Sequence, residues 1–325
     1  MKTAKYLGLA LFSLTACKAQ IKENLAASKP FSYAEISVKT DGKWENRKYI
    51  GGSKFNNVDQ LNLAPEHTDH SFDIRYEGPG WESNKVAYRL YLDWRNAIDI
   101  FGKKTDTLVL PYVGQDGFDS YHEMSDWGAD ILKAGKGIGI GSIARYANKE
   151  TLHFNTVAAT TVGIKNGKKE SAIHIKYDGW KTANDIIDFT STLKIKADER
   201  ITQHTIQASK NIGGIATGIV RLKNLPLIQK ESRNKKWAYI ATYGAQTLVS
   251  DTDQLGMVVF YETAAVEKLV EGEHDHLVLF KPATKTNTFY FAGVWEQEKN
   301  GITNKEDFLK YIDQKLAQLN ANNKI

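Results

Sequence analysis

The chain has 325 residues, a formal charge of +5, 42 % apolar and 11 % aromatic residues, and one cysteine. This composition describes an ordinary globular core. The basic residues are scattered among 38 acidic ones and form no clustered stripe, which speaks against nucleic acid as a partner.

The N-terminus, Met1-Lys2-Thr3-Ala4-Lys5 followed by the apolar run Tyr6 to Thr15, has the layout of a secretory signal peptide. The run is about ten residues, against the roughly 20 that a membrane span needs. Leu14-Thr15-Ala16-Cys17 sharpens the reading, because small residues before a cysteine are what a lipoprotein signal peptidase cuts. Residues 1–16 are therefore read as a lipoprotein signal, and Cys17 as the acylated first residue of the mature chain. Removing Lys2 and Lys5 takes the charge from +5 to +3. Acylation of the sole cysteine leaves neither a disulfide nor cysteine catalysis available. The expected location is the cell envelope, at the outer membrane or facing the periplasm, with the membrane as a partner through Cys17 alone.

Residues 18–30 are polar and aperiodic and read, with Cys17, as a tether. Residues 31–325 then form one domain. Period-2 patterns recur at Phe31–Val38, Lys85–Leu92, Ala172–Tyr177 and Ile186–Ile195, then at Arg200–Ile206, Trp237–Thr242, Met257–Tyr261, His276–Phe280 and Thr288–Ala292. Turn signals such as Asp116-Gly117, Asn166-Gly167 and Asn300-Gly301 separate strands. With no interleaved amphipathic helices, the pattern predicts an all-β, antiparallel sandwich. Thr303-Asn-Lys-Glu306 has capping-box spacing before the apolar stripe Phe308, Leu309, Ile312, Leu316 and Leu319, which predicts one C-terminal helix packed on the sandwich.

Gly135-Lys-Gly-Ile-Gly-Ile-Gly141 lacks the helix and lysine of a nucleotide loop. Alternating glycines fit a strand that another backbone or a ligand approaches closely. His67 with His70, or His274 with His276, could take part in a metal site, although no third ligand is fixed by spacing. His153, His174 and His204 sit in strand patterns and read as structural. The segment 80–142 is the richest in site chemistry. Trp81 could stack on a sugar ring; Glu82, Asn84, Asp99 and Asp130 could bind hydroxyls; Arg89, Lys103 and Lys104 could bind a carboxylate. Structural ion pairs and core packing are the competing reading of the same residues.

Gly80-Trp81-Glu82-Ser83-Asn84 running into Ala87-Tyr88-Arg89 resembles the first signature of a domain family common in polysaccharide-degrading bacteria. Tyr121-His122 with Gly128-Ala129-Asp130 resembles its second, and Asp275–Leu279 with Tyr290–Trp295 its C-terminal one. Ser83-Asn84 and Asp126-Trp127 depart from the usual pattern. The best-understood member of the family is an oligosaccharide dehydratase of ulvan breakdown. The resemblance implies the large two-sheet sandwich used by sugar mutarotases and several polysaccharide lyases. It also implies loss of water across C4–C5 of a terminal uronic acid in an acidic oligosaccharide. On that reading Arg89, Lys103 or Lys104 neutralises the carboxylate, and His122 and Tyr121 serve as acid and base. Trp295 joins the substrate-binding set. His67 or His70 replaces one of the pair unless Tyr121 and His122 share a loop, because neighbouring strand residues point to opposite faces. No cofactor is expected, and a divalent metal stays open. The rival readings are a glycan-binding lipoprotein and a sugar epimerase or mutarotase.

Overall fold

Where apolar residues alternate with polar ones, the chain forms antiparallel strands, and 49 % of it is strand against 9 % helix. The computed structural model describes residues 31–223 and 225–325; the signal segment, Cys17 and the tether 18–30 lie outside them. A nine-stranded sheet forms one layer. It runs from Ile228–Glu231 through Trp237–Ala245, Gln254–Glu262, Asn287–Trp295, Ile201–Ala208, Asp185–Lys196, Glu170–Thr182 and Ala159–Asn166 to Gln60–Asn62. Two five-stranded sheets face it. The first is ordered Ser32–Glu35, Gly80–Ser83, Val86–Leu90, Ile98–Lys103, Gly128–Asp130. The second is built around Ile215–Val220 and Asp275–Phe280.

The glycine-rich stretch joins these two smaller sheets, through the bridges Ile98↔Gly139 and Ile140↔Ile219. Gly139 has φ of 71°, and a Cβ there would lie 1.9 Å from the Ile98 carbonyl oxygen. The alternating glycines thus serve a close backbone approach, as their spacing predicts. Between the layers lies one core, with Trp81, Tyr88 and Ile100 from one side and Ile173, Leu193, Phe289 and Phe291 from the other.

The helix spans Lys305–Asn322. Its cap is one residue later than the capping-box spacing suggests, because the Asn304 side chain accepts from the Asp307 amide at 2.8 Å. Phe308, Ile312, Leu316 and Leu319 cover the outer face of the nine-stranded sheet at Tyr239, Phe260 and Tyr290. An antiparallel β-sandwich with a C-terminal helix is the observed architecture.

The first five-stranded sheet positions the site. Ala34, Trp81, Tyr88, Ile98 and Ile100 point into the core. The alternate positions, which carry Glu35, Glu82, Arg89, Asp99, Lys103 and Asp130, occupy the other face. These charged residues are buried all the same. The loop 104–127 and a short 3-10 turn at Arg75–Glu77 cover that face, where Tyr76, Ala87, Phe101, Val109, Leu110 and Tyr121 make a second small apolar cluster.

Candidate functional site

Arg89 is the centre of the covered face. Its Nη2 donates to Tyr91 Oη at 2.5 Å, Asp130 Oδ2 at 2.6 Å and Asp99 Oδ2 at 3.1 Å, and its Nη1 to Tyr121 Oη at 3.2 Å. The rings of Tyr91, Phe101 and Tyr121 lie 4.5, 5.3 and 5.1 Å from its guanidinium carbon. Burial, with the Asp130 charge adding, raises the Asp99 carboxyl to about 7 against the pull of Arg89. Asp99 therefore keeps a proton well above the normal carboxylate range, and Arg89 and Asp130 balance each other. Burial likewise raises the Tyr121 phenol to about 12, with Arg89 opposing, so Tyr121 stays protonated at neutral pH.

Above this network the surface carries two histidines. Ser120–His122 is a 3-10 turn in the covering loop, braced by Ser120 Oγ donating to Asp116 Oδ1 at 2.5 Å. Tyr121 and His122 therefore share a loop, with ring centroids 4.5 Å apart. The His122 side chain is 39 % exposed and its Nδ1 lies 3.3 Å from Asp130 Oδ2. The His70 side chain is 54 % exposed, with Nδ1 2.7 Å from Asp69 Oδ1. The half-buried Phe118 ring neighbours both imidazoles, 4.9 Å from His70 and 6.1 Å from His122, and Phe72 packs edge-on to it at 5.2 Å. A carboxylate at Nδ1 favours the proton there and leaves Nε2 to face a ligand.

The segment that supplies His70 is strained. His70, Phe72, Tyr76 and Glu77 all have positive φ, at 57°, 61°, 41° and 67°. For an aromatic residue such a conformation is a true outlier, and clusters of them mark sites where the surroundings hold an unfavourable backbone in place. Arg95 provides one such tie. Its Nη2 donates to Asp69 Oδ1 at 2.8 Å and Glu77 Oε1 at 3.1 Å. Burial raises the Glu77 carboxyl, against the charges of Arg89 and Arg95. Asp69, His70 and Glu77 also offer three ligand atoms within 4.8 Å of one another, the spacing of a metal group. Two of those carboxylates already hold the Arg95 guanidinium, so a cation there has to displace it.

Several sequence candidates prove structural. Trp81 is fully buried, donates from Nε1 to Thr202 Oγ1 at 2.8 Å and stacks on Tyr88, so it offers no face to a sugar. Glu82 and Lys103 form a buried pair at 2.7 Å, and Glu82 also accepts from the Val109 and Leu110 amides, which fixes the root of the covering loop. Asn84 holds Asp198 through two bonds. Trp295 is buried and donates to Asp253 Oδ2 at 2.7 Å. Lys104 is exposed, one residue past the end of the strand that carries Asp99. Arg89, Asp99 and Asp130 are buried in their mutual network, so Arg89 does not present its fork to a substrate carboxylate, nor Asp99 and Asp130 their oxygens to sugar hydroxyls. Tyr121, 2 % exposed, points its hydroxyl at Arg89 and does not reach the surface.

His67 is buried, with Nδ1 2.9 Å from Asp73, and lines a separate cleft of about 420 Å³. His153, one residue past the strand Glu150–Leu152 and not within a strand as expected, bonds two backbone carbonyls; burial lowers His204, in the strand Ile201–Ala208 and held by Ser191 and Gly141, to about 4. His276 is buried while His274 is exposed beside Glu273, and neither belongs to a metal-capable group among the described residues. Sequence reasoning missed Phe118, Phe72, Asp69, Glu77 and Arg95. The Asp69-His70 pair was the available signal; left-handed backbone at His70 and Phe72 leaves no mark in sequence.

No curated protein matches the chain. A family model matches residues 12–325, and its description is a domain of unknown function, DUF4861. The chain belongs to the DUF4861 family.

Proposed function

We propose that this protein is a carbon–oxygen lyase, a dehydratase that removes water from the uronic acid at the non-reducing end of an acidic, ulvan-type oligosaccharide. The observation that carries the reading is the pair His70 and His122, both exposed, each with Nδ1 against a carboxylate, and both beside Phe118. A sugar ring lying on Phe118 comes within reach of both imidazoles. The neutral imidazole takes the C5 proton, the C–H electrons become the C4=C5 double bond, and the C4–O4 bond breaks. The protonated imidazole delivers its proton to O4, and water leaves. The geometry favours His70 over Tyr121 as the second member, because the phenol is buried. Beneath them the Arg89 charge and the raised Asp99 carboxyl limit the negative charge that the network adds where the enediolate develops. Arg95, partly exposed, neutralises Asp69.

The test is incubation with defined uronate-ended oligosaccharides, following the ultraviolet absorbance of the conjugated product. His122→Ala and His70→Ala are each expected to keep the fold and the oligosaccharide affinity and to lose about a hundredfold or more in turnover. Equal turnover of either variant removes that histidine from the chemistry. Binding without any unsaturated product selects the glycan-binding alternative.

The same reading places the protein in the cell envelope, acylated at Cys17. Cys17→Ser is then expected to release it from the membrane fraction or to block its maturation. Unchanged partitioning ends the lipoprotein assignment.

A further inference from the structure

The cleft lined by His67 is not part of the Phe118 platform, and it carries an arginine that the platform does not use. Ser37–Glu45 and Lys48–Asn57 form a separate antiparallel hairpin, with Glu45 paired to Lys48 across the two-residue turn Asn46-Arg47. Both turn residues have positive φ, 48° and 60°, as tight hairpins of right-handed twist require. The hairpin is docked along the strained segment, through the bridge Val38↔Ile74 and the bonds Lys39 N→Asp73 O and Tyr49 N→Ser71 O. At its tip Arg47 donates from Nε to the Glu66 carbonyl at 3.2 Å and from Nη2 to the His67 carbonyl at 2.9 Å.

These two bonds fix the guanidinium and leave three of its five N–H groups uncommitted. Among the described residues Arg47 has no carboxylate within ion-pair distance, although it lines a cleft of about 420 Å³. Trp94, 40 % exposed, lines the same cleft, with Asn155, Thr156 and Tyr177. Asp93 also lines it, but its carboxylate is committed to Arg95 through Nε and Nη2. The cleft therefore offers an indole, amide and hydroxyl groups, and one immobilised, uncompensated cation. Residues 37–57 hold five basic side chains and two acidic ones, so the hairpin adds positive field at the entrance. An exposed arginine free to move loses rotamer entropy when it grips a ligand. Arg47 has lost much of that freedom already.

We infer that the cleft is a subsite for an anionic group of the sugar chain, a carboxylate or a sulfate ester, gripped by Arg47 while Trp94 stacks on the ring that bears it. The identification of the ligand as a sugar rests on the function proposed above. His67 and His70 are three residues apart, at most about 11 Å along the chain, so one oligosaccharide reaches both the platform and the cleft.

Calorimetric binding separates this from the catalytic reading, because it needs no turnover. The probes are an acidic oligosaccharide with both groups intact, its desulfated form and its carboxyl-reduced form. Arg47→Ala and Arg47→Gln are expected to weaken binding of the intact ligand about tenfold or more. Glutamine carries an amide N–H at the place of the arginine Nε, within reach of the Glu66 carbonyl, so with an unchanged thermal melt its loss of affinity reports the charge and not the position of the hairpin. One stripped ligand is expected to bind wild type and both variants equally, and the group it lacks is the one Arg47 reads. Wild-type affinity of Arg47→Gln for the intact ligand overturns the proposal, as does an equal loss for all three ligands. If Arg47 behaves as expected while no unsaturated product forms, the dehydratase reading fails and the subsite stands. If product forms and Arg47 is silent, the reverse holds.

Discussion

Arg89 is a single side chain that holds two carboxylates and two phenols at once, with almost no contact with water. Removing charge from one side of such a cluster leaves the other side buried without compensation, which commonly costs about 3–5 kcal/mol. Lysine keeps the charge but not the planar fork, so it cannot reach Asp99, Asp130, Tyr91 and Tyr121 together. Arg89→Lys is therefore expected to lower unfolding free energy by a few kcal/mol in urea denaturation, on the order of the buried-pair value. Activity falls with it, because Asp130 is also the carboxylate beside His122. A variant of wild-type stability would mean that the network is not the structural centre described. The residue scale is where sequence is least informative. Trp81 and Glu82 are neighbours in one motif, yet the pleat sends Trp81 into the core and Glu82 to the covered face. Only tertiary structure tells that an arginine in a site-like motif is held by carboxylates and phenols of its own protein.

The covering loop is the element that turns a charged sheet face into a site. Residues 104–127 have no regular structure apart from the turn at Ser120–His122, and their root is held by Glu82 accepting from the Val109 and Leu110 amides while it pairs with Lys103. Glu82→Gln retains one oxygen and loses both the charge opposite Lys103 and one acceptor. Hydrogen exchange is expected to rise at Val109 and Leu110 and across the loop, with the amides of Asn287–Trp295 unchanged, and turnover to fall as His122 loses its fixed place. Exchange rates that rise equally everywhere would show global destabilisation and no special role for Glu82. At this scale much was legible. Period-2 alternation located nine strand regions, and Asn166-Gly167 marked the turn between Ala159–Asn166 and Glu170–Thr182. The apolar stripe and the polar end located the helix. The cover was not legible, because a long loop acquires its place from what lies beneath it, and the left-handed residues at 70, 72, 76 and 77 are held by tertiary ties.

For the whole molecule, buried titratable groups tie stability to pH, and their signs can be worked out. Asp275 sits at the start of a central strand, where Oδ1 accepts from the Ile138 amide at 2.8 Å and holds the glycine-rich connector between the two small sheets. Burial raises its carboxyl to about 7, as it does that of Asp99. In the unfolded chain an aspartate releases its proton near 3.9. Between about pH 4 and 7 the folded protein therefore binds a proton at each of these groups that the unfolded chain does not. Their stabilising contribution is complete below the lower value and is lost as pH rises through about 7. His204 acts in the opposite sense. Burial lowers it to about 4, so its contribution is present above the unfolded value near 6.5 and is lost as pH falls. Other buried histidines and carboxyls act in the same two senses, so the contribution of one group is read from its own variant. Asp275→Asn removes one raised carboxyl while its amide oxygen still accepts from Ile138. The difference in unfolding free energy between variant and wild type is expected to shift in favour of the variant as pH rises from 4 to 7. The slope is at most about 1.4 kcal/mol per pH unit, one proton's worth, and it flattens above that window. Urea denaturation of both proteins across that range measures it, and a difference independent of pH would show that Asp275 titrates alike in the folded and unfolded chain.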